Sequence, residues 1–237
     1  MKKAIVIIPA RYDSTRLPGK VLLKQTGKYL VQHTYEQVCK AKLIDRVMVA
    51  TDDRRVYRAV KSFGGAVVMT SSKHRSGTDR VAEIARKLNY DFIINVQADE
   101  PEIDPSAIDL VVNLLSRSQK TDMVTLACPF KNRAEFCDPN KVKVWLNRQN
   151  FAVDFSRNGC RRPAQPLRHI GIYGYRRKSL LKFVRLDPIE REKSEKLEQL
   201  RALENGFLIK VGLIKKAPAG IDTLKDYQAF VKRMEKT

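Results

Sequence analysis

The chain lacks the features that mark membrane-spanning, disulfide-stabilised or zinc-binding proteins. No apolar run approaches the ~18 residues that cross a bilayer. The four cysteines among 237 residues are widely scattered and include no C-x-x-C pair. Unpaired thiols of this kind are typical of a reducing compartment. The sequence therefore predicts a cytoplasmic protein with no membrane span, disulfide framework or zinc site.

Acidic residues are also scarce relative to basic ones. The chain has 26 Asp and Glu against 46 Lys and Arg, a formal net charge of +20. Between residues 155 and 186 there are nine Lys and Arg side chains and no Asp or Glu. Such a surplus attracts anions, nucleic acids among them. Because the stretch carries no RNA- or DNA-binding motif, nucleic acid is the less favoured partner, and acidic small molecules are favoured.

Short apolar runs alternate with helical patterns along the first half of the chain. This alternation predicts right-handed crossovers and a mostly parallel sheet. The second half is less regular, with strands, a helix over 190–204 that ends at Gly206, and a terminal helix. The strands are predicted at 4–8, 47–51, 66–69, 92–96, 123–127, 141–146, 152–155, 169–175 and 207–214. We expect one domain over 1–237, with a nucleotide-binding half at about 1–125, a further part at about 126–215 and a terminal helix at 223–237.

The first apolar run, residues 4–8, ends in a loop that carries three cations. Arg11, Arg16 and Lys20 can neutralise phosphates, and Gly19 lets backbone N–H groups approach a ligand closely. The spacing is not that of a Walker A loop. A cationic loop at the carboxyl end of a buried strand is typical of phosphate sites in open α/β sheets. A solvated basic turn is the alternative reading of this stretch alone.

The segment from Ser76 to Arg80 lies where a loop turns into a helix. Ser76 or Thr78 can cap the helix, and the free N–H groups beside Gly77 can hold an anion or a base edge. From the local sequence alone, an ordinary helix cap is the favoured reading.

Two carboxylates occupy positions suited to a metal ion. Asp99 ends the fourth predicted strand, where ligands bind in such sheets, and Asp222 precedes the terminal helix. Carboxylate oxygens are ligands that Mg²⁺ prefers. A turn before Pro101 would also explain Asp99, and a helix N-cap would explain Asp222.

A second group of polar side chains falls in the later half. His169 and Tyr173 lie on a strand rich in small and aromatic residues, and the arginines near His169 favour an acidic ligand over a metal. Glu192, Glu195 and Gln199 share one face of the predicted helix. A solvated helix face and plain core aromatics are the alternatives.

Eight segments taken together resemble the sugar-nucleotide cytidylyltransferases, and within that family the members that act on 3-deoxy-manno-octulosonate (Kdo). Any one of them is a weak signal, but their order along the chain is that of the family. The resemblance spans nearly the whole chain. The segments are IPARYDSTRLPGK (8–20), ATDD (50–53), SGTDR (76–80), NVQADEP (95–101), FSR (155–157), RHIGIYGY (168–175), LEQLR (197–201) and GIDT (220–223).

The resemblance implies a fold, a reaction and a set of site residues. The fold is a three-layer α/β/α domain with a mostly parallel mixed sheet, of the nucleotide-diphospho-sugar transferase (Rossmann-like) type. The reaction is Mg²⁺-dependent transfer of CMP from CTP to Kdo in a cytoplasmic homodimer that serves lipopolysaccharide synthesis. Arg11, Arg16, Lys20, Asp99 and Asp222 are the implied catalytic residues, with Asp99 and Asp222 as metal ligands. CTP contacts are implied for Pro9, Ala10, Arg11, Ser76, Gly77, Thr78, Arg80 and Gln97, and acceptor contacts for Arg157, His169, Tyr173, Glu198 and Gln199.

The chain departs from the family pattern at two places. Ala98 stands where the family usually has Gly. The alanine would be strained only if the backbone at this position had a positive φ. The segment 158–167 is shorter than its family counterpart, which borders the sugar pocket and the dimer contact. A related 2-keto sugar acid as acceptor, such as an amino-Kdo or a nonulosonate, is therefore an alternative, and a non-catalytic nucleic-acid-binding relative is a more distant one.

Overall fold

The computed structural model describes residues 2–14, 16–158 and 165–236. Contacts within the chain divide it into two compact units. The first comprises residues 1–109 and 218–237, and the second comprises residues 110–217. The terminal helix therefore belongs to the first unit, although it is distant from that unit in sequence. The single domain expected over 1–237 stays a prediction.

Four parallel strands form the sheet of the first unit: β1 (Ala4–Pro9), β2 (Arg46–Thr51), β3 (Val67–Met69) and β4 (Phe92–Asn95). Their order across the sheet is β3-β2-β1-β4. All six residues of β1 are buried, which matches its continuous apolar sequence. The helices are α1 (Leu30–Val38), α2 (Arg54–Ser62), α3 (Gly77–Lys87) and α9 (Leu224–Met234), with a 3₁₀ turn at Lys20–Leu22.

Side-chain caps fix where three of these helices begin. The Asp53 carboxylate accepts the Arg55 N–H at the start of α2. Ser76 and Thr223 each form a capping box with the aspartate three residues on, at the starts of α3 and α9. Gly64 closes the turn after α2 at a φ of 78°. Local polar signals in the sequence thus set the loops at the carboxyl edge of the sheet.

The second unit is built on a mixed sheet. Strand β5 (Met123–Cys128) pairs parallel with β9 (Ile209–Leu213) and antiparallel with β8 (Leu167–Arg176). Strand β6 (Lys143–Leu146) pairs antiparallel with both β7 (Ala152–Ser156) and β8. The helices are α5 (Arg133–Cys137), α6 (Arg177–Phe183), α7 (Glu190–Glu195) and α8 (Gln199–Glu204), while α4 (Pro105–Arg117) begins in the first unit and ends in the second.

Helix α4 packs closely on the mixed sheet at Gly174. A Cβ atom at that position would lie 2.3 Å from Val111 Cγ1 and 3.0 Å from Leu115 Cδ1. Real Cβ atoms do not approach other atoms so closely, so only glycine allows this contact. The predicted strand at 169–175 therefore needs a glycine at position 174 for α4 to pack against it, in addition to presenting polar side chains.

The nine predicted strands and the helices after β2, β3 and β4 are confirmed. The single helix predicted over 190–204 is wrong, because Lys196 adopts a left-handed conformation, with a φ of 54°, and separates α7 from α8. Helices α1, α5 and α6 were not predicted. Among the described residues, no helix is long and apolar enough to cross a membrane.

Candidate active site

Lys20 is at the centre of a polar cluster in the first unit. Gly19 adopts a φ of 64° and donates its N–H to the Tyr12 carbonyl, and this turn directs the following lysine inward. The Lys20 side chain is only 10% exposed. Its Nζ donates to Asp99 Oδ2 at 2.5 Å and to the Ile221 carbonyl at 2.7 Å. A buried ammonium thus joins the end of β4 to the segment before α9.

Asp222 completes this cluster. Its Oδ1 lies 3.6 Å from Lys20 Nζ and accepts a hydrogen bond from Arg16 at 2.7 Å. The Ile221 N–H donates to the Asp99 carbonyl at 2.9 Å, so the two aspartates are also tied through the backbone. Thr223, rather than Asp222, caps α9. The alternative reading of Asp222 as the helix N-cap is therefore wrong, and its carboxylate is left for charge interactions.

The two carboxylates fit a divalent cation that is shared with a ligand. Among the residues that the structure describes, no group of three or more His, Cys, Asp or Glu side chains could hold a metal ion. Asp99 and Asp222 can supply two hard oxygen ligands. Mg²⁺ commonly takes one or two carboxylates and completes its shell with water and substrate phosphates. Arg11 follows β1 and is exposed, so its guanidinium group is accessible to a ligand.

Ser76, Gly77 and Thr78 begin α3 beside the first strand. The Ser76 hydroxyl accepts the Asp79 N–H at 3.1 Å, so the helix-cap reading is confirmed. A Cβ at Gly77 would lie 3.2 Å from Pro9 Cγ, which shows how closely this turn packs on the end of β1. Thr78 is buried. The helix start and the end of β1, with Pro9 and Ala10, therefore lie together at the carboxyl edge of the sheet.

Arg80 is inside the protein rather than on the loop surface. It is 1% exposed, donates to Asp52 Oδ2 at 2.8 Å and donates to the Thr70 hydroxyl. Both terminal nitrogens thus have protein partners. The side chain ties the ends of β2 and β3 to α3, and its observed contacts are those of a positioning residue.

Glu83 holds the segment that precedes Ser76. Its Oε2 accepts the Ser71 N–H at 2.9 Å and lies 2.7 Å from His74 Nε2. Burial alone would raise the pKa of Glu83, but the hydrogen bonds from Ser71, His74 and Lys87 lower it to about 2. The carboxylate is therefore charged at neutral pH and keeps the 71–74 backbone in place.

Gln97 and Ala98 follow β4. Gln97 Nε2 donates to Asn95 Oδ1 at 3.3 Å, and the Thr34 hydroxyl donates to the Ala98 carbonyl at 3.0 Å. Among described residues other than glycine, only Asn150 and Lys196 have a positive φ. Ala98 is therefore unstrained, and the glycine common in the family is not required by the backbone at this position.

Tyr173 and Gln199 meet in the second unit. The Tyr173 hydroxyl donates to Gln199 Oε1 at 3.2 Å. Gln199 is 3% exposed, and its Nε2 finds no hydrogen-bond partner among the described residues. A buried amide donor without a partner carries a desolvation cost that a bound polar ligand would offset. This orphaned donor is the clearest sign of a ligand position in the unit.

His169 lies next to Tyr173 and is kept neutral. Its ring is 5.6 Å from that of Tyr173, and its Nε2 is 2.8 Å from the Thr125 hydroxyl oxygen. The same hydroxyl lies 3.0 Å from the Ile170 carbonyl and 2.8 Å from the Ile172 carbonyl. Carbonyls only accept, so the hydroxyl donates to one of them and accepts from His169 Nε2–H.

This tautomer leaves His169 Nδ1 as a hydrogen-bond acceptor. Burial lowers the pKa of His169 to about 3. The ring is uncharged at neutral pH and can only accept a hydrogen bond from a ligand.

Arg157 is held by the turn after α7. Its Nε donates to the Glu195 carbonyl at 2.7 Å, one terminal nitrogen donates to the Pro139 carbonyl at 3.1 Å, and its backbone N–H donates to Glu195 Oε2 at 2.9 Å. Glu198 Oε1 lies 3.3 Å from Arg201. Glu192, Glu195 and Gln199 do not share a helix face, because the chain turns at Lys196.

The structure thus brings together the predicted site residues in two groups. Arg16, Lys20, Asp99 and Asp222 form one cluster in the first unit, and His169, Tyr173 and Gln199 form another in the second. Three other residues hold predicted site residues in place: Thr125 contacts His169, Asp52 contacts Arg80 and Glu195 contacts Arg157. Asp52 and Thr125 were not predicted, and Glu195 was predicted only as part of a shared helix face. Asp52 lies within the ATDD segment (50–53) that contributes to the family resemblance, but nothing in the sequence shows that Thr125 or Glu195 contacts a site residue.

Comparisons with known proteins give a consistent result. A family model described as "Cytidylyltransferase" matches residues 5–216. The 3-deoxy-manno-octulosonate cytidylyltransferase of Geobacter metallireducens is 44% identical to this chain, over 99% of the chain and 98% of the relative. That of Rhodopirellula baltica is also 44% identical, over 98% of the chain and 99% of the relative. The solved structure of CMP:2-keto-3-deoxy-manno-octonic acid synthetase complexed with CTP has a TM-score of 0.94 at 38% identity and covers 99% of both chains. This likeness confirms the predicted α/β fold class.

Proposed function

This chain belongs to the cytidylyltransferase family, and from that premise we propose that it transfers the CMP group of CTP to 3-deoxy-manno-octulosonate, giving CMP-Kdo and pyrophosphate. The observation that carries the proposal is the identity of 44% over nearly the full length of two relatives named for this reaction. The fold, of the nucleotide-diphospho-sugar transferase type, supports it. A non-catalytic role in nucleic-acid binding is not favoured by any of these relatives.

The nucleotide end of the reaction is assigned to the first unit. Arg11, Arg16 and Lys20 would contact the triphosphate and stabilise the charge that grows on the leaving pyrophosphate. The turn at Ser76–Thr78, the end of β1 and Gln97 are assigned to selection of the nucleotide. The placement of all these groups at the carboxyl edge of one parallel sheet supports the assignment.

Asp99 and Asp222 would hold Mg²⁺. A bound divalent cation neutralises phosphate charge and lowers the pKa of a coordinated hydroxyl. The support from this chain is the pair of carboxylates near one buried cation, with no third acidic or imidazole ligand among the described residues. This arrangement leaves room for phosphate oxygens and water in the metal shell.

The acceptor end is assigned to the second unit. Arg157 supplies a positive charge for the sugar carboxylate, and the orphaned Gln199 amide supplies a donor for a sugar hydroxyl. Glu198 is assigned to a second hydroxyl. Neutral His169 accepts a hydrogen bond through Nδ1, and a group whose pKa is about 3 is a poor general base at neutral pH. His169 therefore positions the acceptor rather than removing its proton.

Three further assignments rest on the family resemblance. They are a homodimeric assembly, a role of the product in lipopolysaccharide synthesis, and a cytoplasmic location. A related 2-keto sugar acid remains the second candidate acceptor, because the 158–167 segment is short. Its residues 159–164 lie outside the described part of the chain.

Removal of either carboxylate tests the metal assignment. We expect Asp99→Asn and Asp222→Asn each to reduce pyrophosphate release from CTP, Kdo and Mg²⁺ by at least about a hundredfold, since a poorly held cation supplies little transition-state stabilisation. Asp187→Asn is the matched control, because Asp187 is exposed and far along the chain from both groups. Near-normal release by both site variants, with unchanged circular dichroism, would remove Asp99 and Asp222 from the metal site.

A further inference from the structure

Lys20 is surrounded by oxygen atoms of the kind that bind divalent cations. Its Nζ lies 2.5 Å from Asp99 Oδ2, 2.7 Å from the Ile221 carbonyl and 3.6 Å from Asp222 Oδ1. Carboxylate and carbonyl oxygens are the ligands of hard cations such as Mg²⁺. The ammonium group is therefore a cation that lies close to both aspartates, in hydrogen-bonding contact with Asp99 and within ion-pair distance of Asp222, whose hydrogen bond comes from Arg16.

The four charged groups of this cluster balance one another. Arg16 and Lys20 contribute two positive charges, and Asp99 and Asp222 contribute two negative charges. Bringing a divalent cation alone to such a cluster adds two uncompensated charges beside two existing cations. The triphosphate of CTP reverses this balance, because its negative charges attract both the metal and the lysine.

The exposure of the two ion pairs differs in a way that matters for exchange. Lys20 and Asp99 are 10% and 29% exposed, while Arg16 and Asp222 are 57% and 48% exposed. Exposed ion pairs contribute little and separate easily, whereas a buried pair breaks only when new partners replace the lost ones. Lys20, rather than Arg16, is thus the group that controls access to the carboxylates.

We propose that the Lys20 ammonium occupies the divalent-cation position until CTP binds, so that metal without nucleotide binds weakly and the two enter together. This inference rests on the proposed function, since it assumes that Asp99 and Asp222 are the metal ligands. When the triphosphate binds, Lys20 would exchange its Asp99 contact for phosphate oxygens, and Asp99 and Asp222 would then be available to hold the metal. The lysine thereby keeps the carboxylates paired and the cluster neutral between turnovers.

The test measures binding of Mn²⁺ to the full chain without nucleotide, using the electron paramagnetic resonance signal of free Mn²⁺. Lys20→Met and Lys20→Gln remove the competing charge, and each is expected to bind Mn²⁺ about tenfold more tightly than the wild type. Lys24→Met is the matched control, because Lys24 is exposed, lies over the Tyr29 ring and changes the net charge equally. Circular dichroism checks that each variant is folded.

The outcomes separate this inference from the function on which it rests. Equal Mn²⁺ affinity in the wild type, both Lys20 variants and Lys24→Met would overturn the inference. That result would not bear on the proposed reaction of CTP with Kdo, which is tested separately. The double variant Lys20→Met with Asp99→Asn should lose the gain in affinity. If the double variant binds as tightly as Lys20→Met, Asp99 is not a ligand, and the metal assignment fails together with the inference.

Discussion

Substitution of His169 by glutamine should flatten the dependence of stability on pH. His169 is buried against Phe155 and Tyr173, and burial lowers its pKa from 6.5 to about 3. Glutamine can still donate to the Thr125 hydroxyl but does not titrate. The variant therefore removes one titrating group with little change in hydrogen bonding.

The sign and size follow from the two pKa values. Between pH 6.5 and about 3, the unfolded chain binds a proton at His169 that the folded chain excludes. The contribution of His169 to the free energy of unfolding is thus fully present above pH 6.5, and it is lost as the pH decreases through this window. At pH 5.0 the loss from this residue is about 2 kcal/mol, and it changes little if the folded pKa is one unit higher.

Urea unfolding at pH 8.0 and pH 5.0 measures this difference. Trp145 is the only tryptophan of the chain, is 1% exposed and lies on β6 in the same unit as His169, so its fluorescence reports unfolding there. Burial also lowers the pKa of His33, but that group is present in both proteins and cancels. We expect the wild type to lose about 2 kcal/mol more than His169→Gln between the two pH values. Parallel losses would show that His169 is not held neutral, and the role assigned to it as an uncharged acceptor would be wrong.

Two further predictions concern stability. Gly174→Ala should lower the free energy of unfolding, measured in urea, by about 1–3 kcal/mol, because the new Cβ would overlap Val111. Gly171→Ala on the same strand should lower it less, because no atom lies within 4 Å of the new Cβ. Equal losses would contradict the packing of α4 on this strand. Lys196→Gly should raise the free energy of unfolding by about 1 kcal/mol, since it relieves a left-handed conformation, while Lys193→Gly in the preceding helix should lower it by about the same amount. Destabilisation by both substitutions would argue against the break between α7 and α8.

The strands could be predicted because runs of apolar and β-branched residues are typical of buried strands. The confirmed helices could be predicted because polar caps or glycines mark where they begin or end. Helices α1 and α6 have no such mark. Their N-cap residues, Tyr29 and Arg176, make no side-chain cap, so neither start is visible in the sequence. The break at Lys196 was missed for a similar reason, because a left-handed lysine replaces the glycine that usually ends a helix.

The candidate site was predictable by residue type but not by contact. Lys20, Asp99 and Asp222 are far apart in sequence, and family motifs identified each of them. The Ile221 carbonyl that completes the Lys20 environment is a backbone atom, which no residue pattern reveals. The neutral state of His169 likewise depends on burial and on the Thr125 hydroxyl, and both are properties of the folded chain.

The most direct test of the account is pyrophosphate release by the purified protein with Mg²⁺, CTP and Kdo. Parallel reactions replace CTP with UTP or ATP, omit the acceptor, or replace Kdo with another 2-keto sugar acid. The account predicts rapid release with CTP and Kdo, and background release when the acceptor is omitted or another nucleotide is used. Release with a different sugar acid but not with Kdo would contradict the assigned acceptor, and no release with any acceptor would contradict the assignment of this chain as a cytidylyltransferase.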